Sequence, residues 1–501
     1  MFVDAEAFVT HDRLAAGACL VGAGAAGITI AMTLADAGVD VVLLESGGFE
    51  REAATQRLYD TIDRDARYPF AETRLRYFGG STNHWGGLCR PLDREDFLPR
   101  PWIADSGWPL DRSEIEPYHA RALSLVDIPR LYALDDLDRE HGDRPYLVAR
   151  DDPELEPLVW LQSPPTRMGA RYRDRIRQHP RIRCVLHANA VDVLVNHAGD
   201  HVTGVRAKTL GGRTLTVAAK CYTLSAGAIE NARLLLLSDA VVPGGLGNRY
   251  DLVGRYLMTH FGRGGVIVLV PPGDGLFREE CLLDCGNGVS DRFFGWAVKE
   301  PWRRRFALLG CSLNAYAVPR NDALRMDGRA VPRAVLDLLT ASAWEPPLQG
   351  PLLGTRSYVL AALAEQSPNR ESRVLLGSEL DALGQRRTVV DLRIREADAT
   401  SVQRSIELLA GALARRGQGR LRLEPEGSLE MGFAPEHHIG TTRMADDPRR
   451  GVTDRHGRVH GVDNLYVAGS SLFPTAGFAN PTLTILALAL RQAEHLRDGV
   501  Q

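Results

Sequence analysis

Apolar residues gather near the start of the chain into two short runs, separated by a segment whose apolar positions recur at helical spacing. Cys19-Leu20-Val21 contains no polar residue and reads as a buried strand. Residues 28–37 carry a helical period, Gly38 ends it, and residues 39–44 form a second apolar strand that stops at Glu45. Gly22-Ala23-Gly24-Ala25-Ala26-Gly27 joins the first strand to the helix without a gap. The other strong pattern lies near the C-terminus, where Leu483-Thr484-Ile485-Leu486-Ala487-Leu488-Ala489-Leu490 reads as a buried helix entered through Asn480-Pro481. Proline suits a first helical turn, and an asparagine just before it suits the N-cap. Residues 126–175 and 265–360 carry no comparable signature. Pro271-Pro272-Gly273-Asp274-Gly275 and Glu345-Pro346-Pro347 are the clearest breaks in the chain.

The order strand, glycine turn, helix, strand has a direct physical reading. In Gly-x-Gly-x-x-Gly the first glycine, Gly22, permits a tight turn; the second, Gly24, lets backbone approach a pyrophosphate; the third, Gly27, lets the helix pack on the strand. The helix N-terminus then faces the phosphates. Glu45, 23 residues after Gly22, stands where an acid accepts hydrogen bonds from ribose hydroxyls. This end of the chain is expected to bind a dinucleotide, and the motif alone does not separate NAD from FAD.

Composition narrows the setting. A chain of 501 residues is too long for one small core and implies two or three domains. A net charge of -3 offers no basic field for nucleic acid or an anionic membrane surface. No apolar run approaches the roughly 20 residues of a membrane span. Residues 1–14 lack a basic stretch followed by an apolar one, so no signal peptide is expected and the cytoplasm is the default location. The seven cysteines are scattered; Cys281 and Cys285 make a lone Cys-x3-Cys pair, and no metal site is expected. Lys208, Lys220 and Lys299 are the only lysines among 60 basic residues, a skew that matches GC-rich coding bias and weakens inference from any one arginine.

Two further clusters carry candidate chemistry. In Gly79-Gly80-Ser81-Thr82-Asn83-His84-Trp85-Gly86-Gly87, glycine pairs bracket a polar segment, which favours an irregular loop that brings backbone close to a ligand. His437-His438-Ile439-Gly440-Thr441 is followed about 40 residues later by Ala479-Asn480-Pro481-Thr482. Oxidising a carbinol removes a hydroxyl proton and a hydride, so it needs a base and an electron sink side by side. A histidine and an asparagine from separate segments can take that proton and hold the oxygen. Adjacent histidines on an extended or irregular backbone point apart, so only one of the pair faces a given substrate atom. A neutral imidazole near its ordinary pKa of about 6.5 could serve without a large shift.

The fingerprint at Gly22, the loop around His84 and the C-terminal pair together resemble the glucose-methanol-choline (GMC) oxidoreductases, which bind FAD. Ser225-Ala226-Gly227-Ala228-Ile229-Glu230-Asn231, Asp251-Leu252-Val253-Gly254-Arg255, Glu365-Gln366-Ser367-Pro368-Asn369 and Leu465-Tyr466-Val467-Ala468-Gly469-Ser470 are similar to further segments of that family. The likeness covers roughly residues 15–125, 180–260 and 360–497. It implies an α/β (α+β overall) fold: a discontinuous Rossmann-like FAD-binding domain over residues 1–90, 181–260 and 437–501, with a sheet-based substrate domain over 91–180 and 261–436. It also implies cofactor contacts from Gly22, Gly24, Ala26, Gly27, Glu45, Ser46, Gly80, Ser81, Asn83, His84, Trp85, Gly86, Gly87, Ala190, Val191, Ala226, Gly227, Gly469, Ser470, Asn480, Pro481 and Thr482.

Counting three residues back from Gly440, as the family pattern does, selects His437 as base, with Asn480 as the residue that orients the substrate. His84 takes the place of the histidine that carries FAD covalently in pyranose oxidases, but Asn83 and Gly86-Gly87 depart from that pattern, so a non-covalent FAD is expected. The Asn-Pro pair beside Ser-Thr-Asn-His-Trp is closer to pyranose oxidases, cholesterol oxidases and bacterial sugar or glycoside enzymes than to glucose or choline oxidases. The expected substrate is a small polyol, sugar, glycoside or aminoglycoside-type carbinol, with O2 or another molecule as final electron acceptor. A sterol or other natural-product alcohol, or a lyase of the family that keeps FAD without net redox change, is the alternative.

Overall fold

A computed structural model describes residues 1–64, 68–131, 151–270, 292–317, 356–422 and 436–500, with isolated positions 136, 147, 149 and 276 and the short pairs 325–326 and 329–330. Cys281, Cys285 and both proline-rich breaks lie outside the described residues.

Two large sheets organise the chain. The first runs in the order Phe2–Asp4, Ile182–Leu186, Val41–Leu44, Asp12–Val21, Thr214–Leu224, Val202–Lys208, Asn189–Val195, and Leu465–Val467 also pairs with Thr214–Leu224. Its first five strands and Leu465–Val467 pair in parallel, whereas Val202–Lys208 and Asn189–Val195 continue antiparallel. The apolar run ending at Val21 is flanked on both sides by parallel partners, which is why it lacks polar alternation. The strand begins as early as Asp12, where pairing with Thr214–Leu224 holds a first half that is partly exposed and mixed in composition.

Helix Ala25–Asp36 starts three residues before its apolar period does and is buried from Ala26 through Met32. Gly38, with φ +92°, stops it: the Gly38 N–H donates to the Ala35 carbonyl and Val39 N–H to that of Leu34. The C-terminal helix, Thr482–Val500, lies against this one and shares its core.

The second sheet is antiparallel throughout, in the order Arg420–Arg422, Phe261–Val270, Arg356–Ala364, Cys311–Ala317, Arg292–Val298, Leu155–Gln162, Leu88–Cys89. Helix Glu396–Arg415 packs on it, and the two form a separate hydrophobic core that includes Trp296, Leu313, Leu360 and Leu409. Among the described residues, no helix is long and apolar enough to cross a membrane.

Candidate active site

A cavity of about 690 Å³ extends from the glycine turn at Gly22 to His437 and Asn480. Its first wall is the parallel sheet's C-terminal edge. Gly22 has φ +97°, and a side chain there would meet the Ser225 carbonyl at 2.8 Å, so this turn and the one at Ser225 pack backbone to backbone. Glu45 braces the same turn: Oε2 accepts from Ala23 N–H at 2.9 Å, and Oε1 accepts from Gly47 N–H at 3.0 Å. Helices Ala25–Asp36 and Ala228–Leu237 both begin from glycine caps, Gly24 and Gly227, that line the cavity and carry no side chain to occupy the first-turn N–H groups.

The loop after Gly79 forms a second wall. Arg167 donates to the Thr82 and Trp85 carbonyls at 3.1 and 2.7 Å, and Trp85 Nε1 donates to the Thr166 carbonyl at 2.8 Å, which fixes an otherwise irregular path. Gly22, Gly24, Ala26, Glu45, Ser46, Gly80, Ser81, His84, Trp85, Gly86, Gly87, Ala190, Val191, Ala226, Gly227, Gly469, Ser470, Asn480, Pro481 and Thr482 all line the cavity. Gly27 and Asn83 stand off it. A Cβ at Gly27 would lie 1.9 Å from the Gly22 carbonyl, so that glycine serves helix-on-strand contact. Asn83 turns its amide away, donating to the Phe78 carbonyl at 3.0 Å.

The third wall holds the candidate base. Met258 and Ile439 exchange two backbone hydrogen bonds of 2.9 Å as an antiparallel bridge. Two residues on from Met258 and two back from Ile439, His260 and His437 are therefore directly opposed on one face. Their Nδ1 atoms lie 2.8 Å apart, and His260 Nε2 donates to the Gly477 carbonyl at 2.7 Å. His438 points the other way, its Nε2 3.3 Å from the Thr73 hydroxyl. Asn480 Nδ2 reaches to 3.5 Å from His437 Nε2, while Asn480 Oδ1 is buried with no hydrogen-bond partner among the described residues.

Two expectations change here. His437 is partly exposed and lines the cavity; burial first, then the His260 and His438 rings, holds it well below 6.5 rather than near it. Asn480 does not cap the last helix with its side chain, because that helix starts at Thr482 and the Pro481 carbonyl accepts its first bond, from Ile485 N–H at 2.9 Å.

The walls fit FAD: paired glycine-capped helix starts for a pyrophosphate, a cavity reaching from there to a histidine, and an orphaned amide oxygen at the far end. A model of the GMC oxidoreductase C-terminal region matches residues 368–489. Along nearly the whole chain it is similar to 6'''-hydroxyparomomycin C oxidase of Streptomyces lividus, 26% identical over 94% of this chain and 90% of that protein. Paromamine 6'-oxidase of Streptomyces fradiae is also 26% identical, over 95% and 90%. In fold the chain is similar to a formate oxidase of Aspergillus oryzae in which FAD modification is described, with a TM-score of 0.60 at 17% identity over 98% of this chain and 99% of that one.

Over residues 368–489 the chain matches the GMC oxidoreductases.

Several residues of the cavity escaped the sequence reading. Arg74, Arg76, Arg233 and Glu230 line its inner end beside Tyr59. Arg74 and Arg76 reach Glu230 at 2.9 and 3.3 Å, and Arg233 joins Glu230 to Asp381. Burial pushes the Glu230 carboxyl up, but Arg233, Arg76 and Arg74 together outweigh it and hold the group at about 2. In an arginine-rich chain no single arginine announced this cluster. Leu88, Trp160, Asn314 and Leu363 line the side toward the second sheet. Trp160 Nε1 donates to Asn314 Oδ1 at 3.0 Å, a contact between residues 154 positions apart that no local pattern reports.

Proposed function

We propose that the protein is a GMC oxidoreductase that oxidises a CH–OH carbon of a sugar, glycoside or aminoglycoside-type substrate to the carbonyl, with His437 as base and Asn480 as the group that holds the hydroxyl. The observation that carries the reading is the approach of these two side chains, from segments 43 residues apart, at the end of a cavity suited to FAD. Bound FAD supplies the hydride acceptor, its N5. The protein's own part is to seat the alcohol, to receive the O–H proton on the His437 ring, and to keep that ring neutral until it does so. Glu45 and Ser46 are assigned to the ribose side of FAD and the glycine-capped helix starts to its phosphates. The assignment of substrate class follows the two Streptomyces relatives, named for paromamine and a paromomycin, each spanning most of the chain.

The test is anaerobic flavin reduction against a panel of free sugars, glycosides, aminoglycosides and sterols. Bleaching by a member of the first three classes is expected. Bleaching by sterols alone, or by none of the panel with flavin bound, overturns the substrate assignment. A substrate consumed without bleaching identifies a lyase. Denaturing the same preparation should release the yellow colour from the protein; colour that stays with it indicates a covalent link, with His84 the residue to substitute.

A further inference from the structure

We infer that His260 is a positioning residue that holds His437 in the tautomer whose bare Nε2 faces the cavity. The inference rests on the reading of His437 as base and concerns how that base is kept ready.

The polarity of the contacts follows from elementary chemistry. A carbonyl oxygen only accepts, so the 2.7 Å contact to Gly477 requires His260 Nε2 to carry a proton. A neutral His260 then has a lone pair on Nδ1. The 2.8 Å contact between the two Nδ1 atoms needs one proton between them, and it must come from His437. With its single proton on Nδ1, a neutral His437 has its lone pair on Nε2, the atom 3.5 Å from Asn480 Nδ2. The alternative polarity requires a doubly protonated His260. That ring is 1% exposed, and both its nitrogens are already used by Gly477 and His437, so no carboxylate hydrogen-bonds to it. Among the described residues, the charged and titratable groups that act on the pair are Glu365 on His260 and His438 on His437, with Glu436 next to His437 on the cavity wall. Burial dominates the set and lowers His260 to about 4, despite the Gly477 carbonyl and Glu365.

When a hydroxyl proton moves to His437 Nε2, its O–H bond breaks, an N–H bond forms, and the hydride leaves the same carbinol for FAD. The ring becomes an imidazolium whose Nδ1–H still donates to His260. No proton passes beyond His260, because the Gly477 carbonyl at the end of the chain accepts a hydrogen bond and not a proton. A carboxylate in the place of His260 would fix the same tautomer but would attract a proton to His437 in advance. A neutral imidazole orients without doing so.

The test compares His260→Asn, His260→Gln and His260→Leu, with His437→Ala in parallel. Asparagine puts an acceptor where Nδ1 was; glutamine puts its amide near the old Nε2 and loses the acceptor facing His437. For orientation of the base, the limiting rate of anaerobic flavin reduction should fall roughly 10–100-fold in the leucine and glutamine variants, with KM little changed, and recover substantially in the asparagine variant. A merely structural role, holding the Gly477 loop, ranks glutamine above asparagine and overturns the proposal, as does a leucine variant with wild-type reduction. A second readout needs no turnover: in protein labelled with 15N-histidine, the ring whose signals vanish in His437→Ala should be protonated at Nδ1 in the wild type and lose that preference in His260→Leu. A His437 ring protonated at Nε2 in the wild type overturns the proposal. If His437→Ala reduces flavin normally, the underlying assignment of the base fails instead.

Discussion

A base that is neutral before it acts should show little pH dependence above its own titration. His437 is held well below 6.5 by burial and by the His260 and His438 rings, so the limiting rate of flavin reduction should stay level from about pH 8 down to about pH 6. A rate that halves near pH 6.5 would mean that the ring titrates as an exposed imidazole does. Stability follows the same groups. His260, at about 4, and His437 bind a proton less readily in the folded chain than in the unfolded one, so the stability they contribute is full above pH 6.5 and is lost as pH falls toward 4. For His260 the lowering corresponds to roughly 3 kcal/mol. Urea midpoints measured from pH 7 to 4.5 should therefore fall less steeply in His260→Leu than in the wild type; equal slopes would remove His260 from this account. His437 and Asn480 were legible because each stands at a fixed distance from a backbone marker, Gly440 or Pro481. His260 was not: its partner lies 177 residues away, and only the bridge between Met258 and Ile439 brings them together.

At the scale of elements, two glycines of one turn should separate binding from folding. A methyl at Gly24 meets nothing within 4 Å and projects toward the cavity, whereas one at Gly27 would collide with the Gly22 carbonyl at 1.9 Å. Gly24→Ala is expected to leave the thermal midpoint of the flavin-free protein nearly unchanged and to lower the flavin-to-protein absorbance ratio. Gly27→Ala must move helix Ala25–Asp36 off its strand and should lower both, by at least the roughly 1–3 kcal/mol typical of overpacking. Equal midpoints for the two variants would sink the distinction. This turn was readable from sequence because strand, turn and helix are contiguous, and all the information needed lies within 30 residues. The early half of Asp12–Val21 was missed since pairing with Thr214–Leu224, and not apolar content, makes it a strand.

Across the whole molecule, the segment following the second wall is tied to both the antiparallel sheet and the loop that carries Gly477. Arg100 makes a two-pronged contact with Glu365 at 2.8 and 2.5 Å, and both side chains are almost fully buried, at 4% and 0% exposure. Glu365 also accepts from Gly310 N–H at 3.2 Å, while the Thr475 hydroxyl donates to the Asp96 carbonyl at 2.9 Å. Neither sequence period nor motif could reveal this tie, because its members come from positions 265 residues apart and gain meaning only once both sheets are assembled. Such a pair contributes little over a well-packed apolar replacement, but an unpartnered half is costly. Glu365→Leu alone removes the hydrogen-bonded counter-charge of Arg100 and leaves it only Asp96, at 3.9 Å, so it should destabilise the fold by about 3–5 kcal/mol; adding Arg100→Met should restore most of that loss. Urea unfolding of the wild type, the single variant and the double variant measures both steps. A double variant no more stable than Glu365→Leu would show that Glu365 acts through Gly310 and the sheet, and not as the counter-charge of Arg100.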